Sequence, residues 1–378
     1  MKILQVLPAL DSGGVERGVC DLSAYAAKEG YNIVVASAGG RLEEQLIKSG
    51  TQHIKLKLNS KNPLIIFINI FKLRKIISSN NIKIVHARSR APAWSAYFAC
   101  KLSKAKFITT FHGYYKITSP FKKFYNSIMA KGEKVIAVSE FIKKHITAKY
   151  SIKRDKITVI HRGVNLNEFK SENISDEERL KFLHNNGLSE KDFKILLPGR
   201  ITRWKGHKTA IKALKKVNVE NQKLVICGGW KGKEDYFEEL NKLALDLQIE
   251  SKIIFTNTVS NMPLAYEASD IVLNTSTEPE TFGRVTAEAG AMCKPVIATN
   301  IGGSVEIVKN GETGYLVTPD NDEELAEKIE ILFKDLSDAT KKQKISKSAR
   351  QHISNNFSLQ LMCSETLKIY DEMLQNSL

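Results

Sequence analysis

Short β-branched or aliphatic runs alternate with amphipathic helical stretches along almost the whole chain, and that alternation leaves few folds open. In the first half the strand-like runs are Ile3–Leu7, Asn32–Ser37, His53–Leu58, Lys83–Ala87, Phe107–Phe111, Val135–Val138 and Ile157–His161. Between them lie helical patterns such as Val15–Glu29, where Val19, Leu22 and Ala26 recur at helical spacing before Gly30 stops the run. Pro92 opens another, with Trp94, Phe98 and Leu102 on one face. Strand then helix, repeated, predicts a parallel sheet covered on both faces. Residues 171–192 break the pattern, with Ser171, Glu172, Asn173, Ser175, Asp176, Glu177 and Glu178 polar and mostly acidic, and it resumes with Lys194–Leu197, Leu224–Cys227, Ile253–Phe255, Ile271–Leu273 and Pro295–Thr299. A length of 378 residues suits two such domains, each with its own core. The fold class is therefore α/β: two doubly wound, Rossmann-like domains facing across a cleft, with a helical C-terminal tail. The predicted boundaries are 1–170 for the first domain, 171–192 for a linker, 193–352 for the second domain, and 353–378 for a helix packing back on the first. Ile369, Tyr370 and Met373 are available for that packing. Open α/β sheets bind ligands beyond the carboxyl ends of their strands.

No apolar run approaches the roughly 20 residues of a membrane-spanning helix. The longest, Leu64 to Phe71, runs into Lys72, Arg74 and Lys75. Met1-Lys2 before Ile3 to Leu10 imitates a signal peptide, but Asp11, Ser12, Gly13 and Gly14 cut it short and no small-residue cleavage site follows. It reads as a first buried strand. Cys20, Cys100, Cys227, Cys293 and Cys363 have no paired spacing for zinc or redox work, so they are expected as small hydrophobic residues in a reducing, cytoplasmic compartment. The net charge of +16 is unevenly spread. Residues 1–170 hold 30 Lys+Arg against 10 Asp+Glu, and residues 171–378 hold 27 against 31. The stretch 101–156 has 14 basic and 3 acidic residues. Such a half either attracts an anionic partner (a membrane surface, a phosphorylated glycolipid, a nucleic acid) or reflects a lysine-rich composition with a solvated face. Gly13-Gly14-Val15-Glu16-Arg17-Gly18 does not match G-x-G-x-x-G, and no Walker-type loop occurs, which counts against NAD and ATP enzymes.

Two segments carry chemistry. In Thr277 to Ala289, Glu280 and Glu288 stand eight apart with Phe282-Gly283 between them, after a strand ending near Asn274. A helix starting near Gly283 would aim its free N–H groups at whatever lies before it. Glu280 would sit in the loop. Glu288, just over one turn into the helix, could accept hydrogen bonds from two vicinal hydroxyls, as on a ribose. In Pro198 to Gly206, Arg200 at a strand end and Lys205 at a helix start place two cations near one anion. Paired with a helix N-terminus across the sheet, they predict a diphosphate cradle.

Together with Gly13-Gly14, His112-Gly113 and Gly302-Gly303-Ser304-Val305-Glu306, these segments resemble the retaining family-4 glycosyltransferases of GT-B fold, in the right order over nearly the whole chain. His86-Ala87-Arg88-Ser89-Arg90-Ala91-Pro92-Ala93-Trp94 is most similar to bacterial lipopolysaccharide core mannosyltransferases. The resemblance implies transfer of a sugar from a nucleotide diphosphate sugar, GDP-mannose favoured, with retention and with neither metal nor other cofactor. It assigns Arg200 and Lys205 to the donor phosphates, Glu288 to the ribose, Glu280 to the transferred sugar, and the amides around Phe282 and Gly283 to the donor. Gly14 would meet the diphosphate from the acceptor-side domain, and His112 would bond a hydroxyl of the reacting sugar. His112, Glu280, Arg200 and Lys205 form the implied catalytic set. Glu306 would support the site. The acceptor implied is an anionic, lipid-linked saccharide such as lipopolysaccharide core, at the inner face of the cytoplasmic membrane, with the enzyme peripherally bound.

Other signals are weaker. Asp320-Asn321-Asp322 imitates a D-x-D metal motif but precedes Glu323-Glu324-Leu325-Ala326 as a helix N-cap would. His86 suits either buried structure or a cleft lining. Arg88 and Arg90 are expected to reach solvent near the cleft, where they suit either an anionic acceptor or plain surface. Phe111, Tyr114, Tyr115, Phe121, Phe124 and Tyr125, interleaved with lysines, suit either a membrane-dipping surface or core plus loop. A UDP-sugar donor, a sugar-nucleotide epimerase or phosphorylase, and a catalytically dead sugar-nucleotide sensor are the neighbouring readings. A nucleic-acid-binding protein is disfavoured, since no helix-turn-helix, zinc-finger or RNA-reading motif is present.

Overall fold

The computed structural model describes residues 2–11 and 13–375. It divides into two compact units, one of residues 1–163 with 359–378 and one of residues 164–358. The first unit holds seven parallel strands: β1 (Lys2–Val6), β2 (Asn32–Ser37), β3 (Gln52–Lys55), β4 (Ile84–Ala87), β5 (Lys106–Phe111), β6 (Lys134–Ala137) and β7 (Ile157–Val159). Their order is β3-β2-β1-β4-β5-β6-β7. Neighbouring residues of one strand face opposite cores. Leu4 and Val6 of β1 pack with Leu73 and Ile77 of helix Pro63–Ser79, Ala93, Ala96 and Ala99 of helix Arg90–Ser103, and Ile142 and Ile146 of helix Glu140–Lys149. Ile3 packs the other way, onto Val19, Leu22 and Ala26 of helix Gly14–Lys28 and onto Cys363, Leu367, Tyr370 and Met373 of the C-terminal helix Leu359–Gln375. Burial on both faces is why these strands read as unbroken apolar runs.

The second unit repeats the plan with β8 (Phe193–Pro198), β9 (Gln222–Cys227), β10 (Ile253–Phe255), β11 (Ile271–Asn274), β12 (Val296–Thr299) and β13 (Gly314–Val317), all parallel and ordered β10-β9-β8-β11-β12-β13. In each sheet the strand order reverses at one place, between β1 and β4 and between β8 and β11. Such a switch point leaves a crevice beyond the strand ends, because the flanking helices depart to opposite faces.

The segment 171–192 is not a bare linker: it carries helix Asp176–Asn185, opened by a capping box between Ser175 and Glu178, and its Leu183 and Leu188 enter a core of the second unit. The unit boundaries fall at 163/164 and 358/359 rather than at 170 and 352. Trp94, Phe98 and Leu102 do not form the buried face of their helix. Phe98 and Leu102 are exposed, and the alanines of that helix lie against the sheet instead, because small side chains let it approach closely. The aromatic group is split, with Phe111 buried and Phe121 and Phe124 exposed. β13 was not anticipated. Four of the five cysteines are buried and all are free; burial pushes the thiols of Cys20 and Cys227 up to about 11, which leaves them inert at neutral pH. No helix of the described residues is long and apolar enough to cross a membrane.

Candidate functional site

β8 ends at Pro198 and β11 at Asn274, so the two segments singled out in the sequence leave the second sheet side by side at its switch point. There Lys205 and Glu280, 75 residues apart, meet: Lys205 Nζ lies 2.6 Å from Glu280 Oε1, with both side chains 13% exposed. Ser276 Oγ lies 2.6 Å from the same oxygen and 3.0 Å from Asn274 Oδ1, with one hydroxyl proton to donate to either acceptor. Asn274 in turn donates to Thr286 and Ser304, both at 3.1 Å. The loop is fixed from below by the glycine pair. Gly302 has φ +70°, and a Cβ there would stand 2.5 Å from the Glu280 carbonyl oxygen, while Gly303 N–H donates to that carbonyl at 2.8 Å. Ser276 and Asn274 were not singled out from sequence; a Ser four residues before Glu280, at a strand end, was the available signal.

The expected helix begins at Arg284 with Gly283 as N-cap and runs to Ala291. Phe282 has its ring in the core, 5.9 Å from that of Phe357, which leaves only its backbone to face a ligand. Glu288 is buried, and its two oxygens accept from Tyr266 Oη at 3.0 Å and Arg284 Nη2 at 2.6 Å. A carboxylate offers about four lone-pair positions, so two remain. Burial, and then the Glu288 charge, push the Tyr266 phenol well above its usual range. Arg200 stands exposed and makes no ion pair among the described residues. Asn321 caps helix Asp322–Ser337, its side chain accepting from Glu324 N–H at 3.0 Å, and Asp322 pairs with Lys216 at 2.6 Å. The D-x-D look-alike is thus a helix start.

In the first unit, the switch point brings together the end of β1, the start of helix Gly14–Lys28 and the end of β4. His86 is fully buried and bonded through both ring nitrogens, to Tyr370 Oη at 2.6 Å and Thr110 Oγ1 at 2.7 Å, so it is structural. Arg88 does not reach solvent as expected, and Arg90 does so only in part. Arg88, between the end of β4 and the N-cap Ser89, is only 5% exposed, and Arg90, at the helix start, bonds Asn126 Oδ1 at 2.7 Å with its guanidinium 4.2 Å above the Tyr115 ring. His112 follows β5, with Arg162 Nη1 3.4 Å from its Nδ1. Burial, Arg88 and Arg162 hold its imidazole well below the usual range, so it is neutral at pH 7. Arg162, which the sequence reading passed over, also donates to the carbonyl of Gly14.

Residues 178–352 match the family described as glycosyl transferases group 1, and residues 12–168 match glycosyltransferase family 4. A glycosyltransferase from Rickettsia africae ESF-5 is 43% identical over 99% of both chains, with a TM-score of 0.92. An uncharacterized glycosyltransferase of Methanocaldococcus jannaschii is 32% identical over 239 residues, 62% of this chain and 59% of the relative, so the match spans about three fifths of that relative's length. Anabaena Alr3699/HepE, solved with UDP and glucose, has the same fold at 21% identity, covering 98% of this chain and 100% of that one, with a TM-score of 0.83. With both sheets of the GT-B plan and a close relative aligned end to end, the chain belongs to the glycosyltransferases, in the group 1 and family 4 branch.

Proposed function

We propose that the protein transfers a sugar, mannose from GDP-mannose, with retention onto a lipid-linked saccharide at the inner face of the cytoplasmic membrane, without a metal. The observation that carries the reading is the meeting of Lys205 and Glu280 at the second unit's switch point, with Arg200 unpaired on the same loop. Breaking the bond between a sugar and a nucleoside diphosphate builds positive charge on the sugar and negative charge on the leaving phosphate. Arg200, Lys205 and the amides at Phe282 and Gly283 supply fixed positive potential for that phosphate, commonly the largest catalytic contribution. Glu280 faces the sugar, Glu288 takes the ribose, Gly14 meets the diphosphate and His112 bonds a sugar hydroxyl. The acceptor hydroxyl attacks on the face the phosphate leaves, and the phosphate takes its proton. The mannosyl and lipopolysaccharide-core assignments rest on the His86 to Trp94 motif.

Thermal shift with nucleotide sugars tests the donor. GDP-mannose at saturating concentration is expected to raise Tm by several degrees, since a ligand at about 100 times its Kd stabilises by about 2.7 kcal/mol. A rise with UDP-glucose, UDP-galactose or UDP-N-acetylglucosamine and none with GDP-mannose overturns the mannosyl assignment.

The membrane part rests on charge and on an apolar patch. Between Glu44 and Glu133 the chain has no Asp or Glu but 17 Lys+Arg. Within that stretch, helices Pro63–Ser79, Arg90–Ser103 and Pro120–Ser127 expose Leu64, Phe67, Phe71, Phe98, Phe121 and Phe124, among exposed Lys61, Lys72, Lys75, Lys101, Lys122 and Lys123. Ser95 Oγ ties the second helix to the first through Ile66 O at 2.9 Å, and Trp94 lies 5.2 Å from Phe124 of the third. Aromatic residues ringed by lysine suit an anionic bilayer interface. Binding to vesicles containing anionic lipid is expected to fall steeply with salt, and a Phe67→Ser, Phe121→Ser variant to bind at least tenfold more weakly, since each buried phenyl contributes about 1.5–3 kcal/mol. Equal binding to neutral vesicles at every salt concentration overturns it.

A further inference from the structure

A guanidinium out of water needs an anion, and Arg88 lacks one. Its side chain is 5% exposed, its Nε has no hydrogen-bond partner, and among the described residues no carboxylate pairs with it. Its place is set by the fold: it is the first residue after β4, its N–H bonded to Val6 O of β1 at 3.0 Å, at the switch point of the first sheet. A second guanidinium approaches the same spot. A methyl group on Gly18 would stand 3.1 Å from Arg162 Nη2 and 3.8 Å from Arg88 Nη2, so the two cations converge over helix Gly14–Lys28. Beside them is a cavity of about 20 Å³ lined by Arg88, Thr110, His112 and Arg162, with Val138 and Ile160 behind. That volume admits about one oxygen atom.

An uncompensated buried charge is among the costliest features a fold can carry. Two like charges converging on one small cavity add repulsion that an oxyanion would turn into attraction, with guanidinium forks suited to phosphate and carboxylate oxygens. We propose that Arg88, Arg162 and His112 form an oxyanion subsite of the first unit that receives one oxygen of a phosphate or carboxylate borne by the acceptor substrate. Assigning the anion to the acceptor rests on the glycosyltransferase reading; the subsite itself does not. The donor diphosphate has its own cations, Arg200 and Lys205, in the second unit. Small volume also sets the geometry of recognition. A single oxygen enters while the rest of the group stays outside, so the subsite reads a charged terminus and tolerates varied saccharides behind it.

The test uses the full chain carrying Arg200→Ala and Lys205→Ala, which removes the donor-phosphate cations, with inorganic phosphate as probe at ionic strength matched by NaCl. Phosphate at tens of millimolar is expected to raise Tm by several degrees. Adding Arg88→Met should abolish that rise and leave the ligand-free Tm equal or higher, because an unbranched apolar side chain removes a buried charge that no carboxylate among the described residues balances. A purely structural arginine gives the opposite pattern, a lower Tm with the phosphate response intact, and that result overturns the proposal. Arg162→Gln serves as a second variant should Arg88→Met fail to fold, with an expected tenfold weaker phosphate response; an unchanged response overturns the subsite equally. In the wild-type chain saturated with the nucleoside diphosphate of its donor, the response to glycerol 3-phosphate should persist. Its loss there overturns the acceptor assignment, whereas failure of the transferase reading shows separately as absence of nucleotide-sugar binding.

Discussion

Arg200→Ala is expected to lower kcat/KM at least 100-fold while leaving Tm unchanged. The two halves of that result have different origins. The Arg200 side chain is exposed and makes no ion pair among the described residues, so its truncation removes almost nothing the fold depends on, and exposed substitutions of that kind stay within about 0.5 kcal/mol. Its proposed partner exists only when the donor is bound, and matters most as negative charge grows on the leaving phosphate. Removing one such preorganised donor costs about 3 kcal/mol of transition-state stabilisation. Lys205→Ala behaves differently. Its Nζ holds Glu280 at 2.6 Å in a place where both are largely covered, so the variant strands a carboxylate. We expect an equal or greater loss of kcat/KM together with a Tm lower by several degrees. If both variants retain full turnover, the diphosphate cradle is not there; if both lose Tm alike, Arg200 is structural rather than catalytic.

That contrast was invisible in the sequence, although the residues themselves were not. Arg200, Lys205, Glu280 and Glu288 were legible because each lies next to a strand end or helix start, and strands buried on both faces announce themselves as apolar runs; Asn32–Ser37 and Ile253–Phe255 coincide with β2 and β10. Pairing across 75 residues is a property of strand order, which no local pattern encodes. The same gap explains Arg88. Arginine is mostly exposed, so the default reading sent it to solvent, whereas its place between the end of β4 and the N-cap Ser89 is buried. The polar run 171–192 reads as a linker because a capping box and a solvated helix face are polar; Leu183 and Leu188, with Phe182 packed against the same cluster, are what it contributes to the core. The apolar spacing of helix Arg90–Ser103 misleads because Phe98 and Leu102 mark its exposed side and its alanines the buried one. β13 escaped because Gly-Tyr-Leu-Val is four residues long and half exposed at the sheet's edge.

Gly206→Ala should be a severely damaging single-methyl change near the site. Gly206 sits at φ +70°, between Lys205 and helix His207–Lys216, a conformation that costs an L-residue about 1–2 kcal/mol. The larger penalty is contact: a Cβ there would lie 1.9 Å from the carbonyl oxygen of Thr275, which is backbone and cannot rotate away. The two loops must therefore separate. They are stitched by Thr275 Oγ1 donating to Lys205 O at 2.9 Å and by Thr277 N–H donating to Trp204 O at 2.7 Å, so separation also moves Lys205 away from Glu280. We expect a loss of about 3 kcal/mol or more, hence a Tm lower by roughly 10 °C for a unit of this size, with kcat/KM reduced along with it. Gly232→Ala supplies the comparison. Its φ is +73°, but nothing lies within 4 Å of the added methyl, so only the conformational cost applies, about 1–2 kcal/mol, with activity preserved. Should the two variants lose stability equally, close packing of the strand-end loops against each other is not what holds Lys205 in place, and its alignment with Glu280 has to be attributed to the ion pair alone.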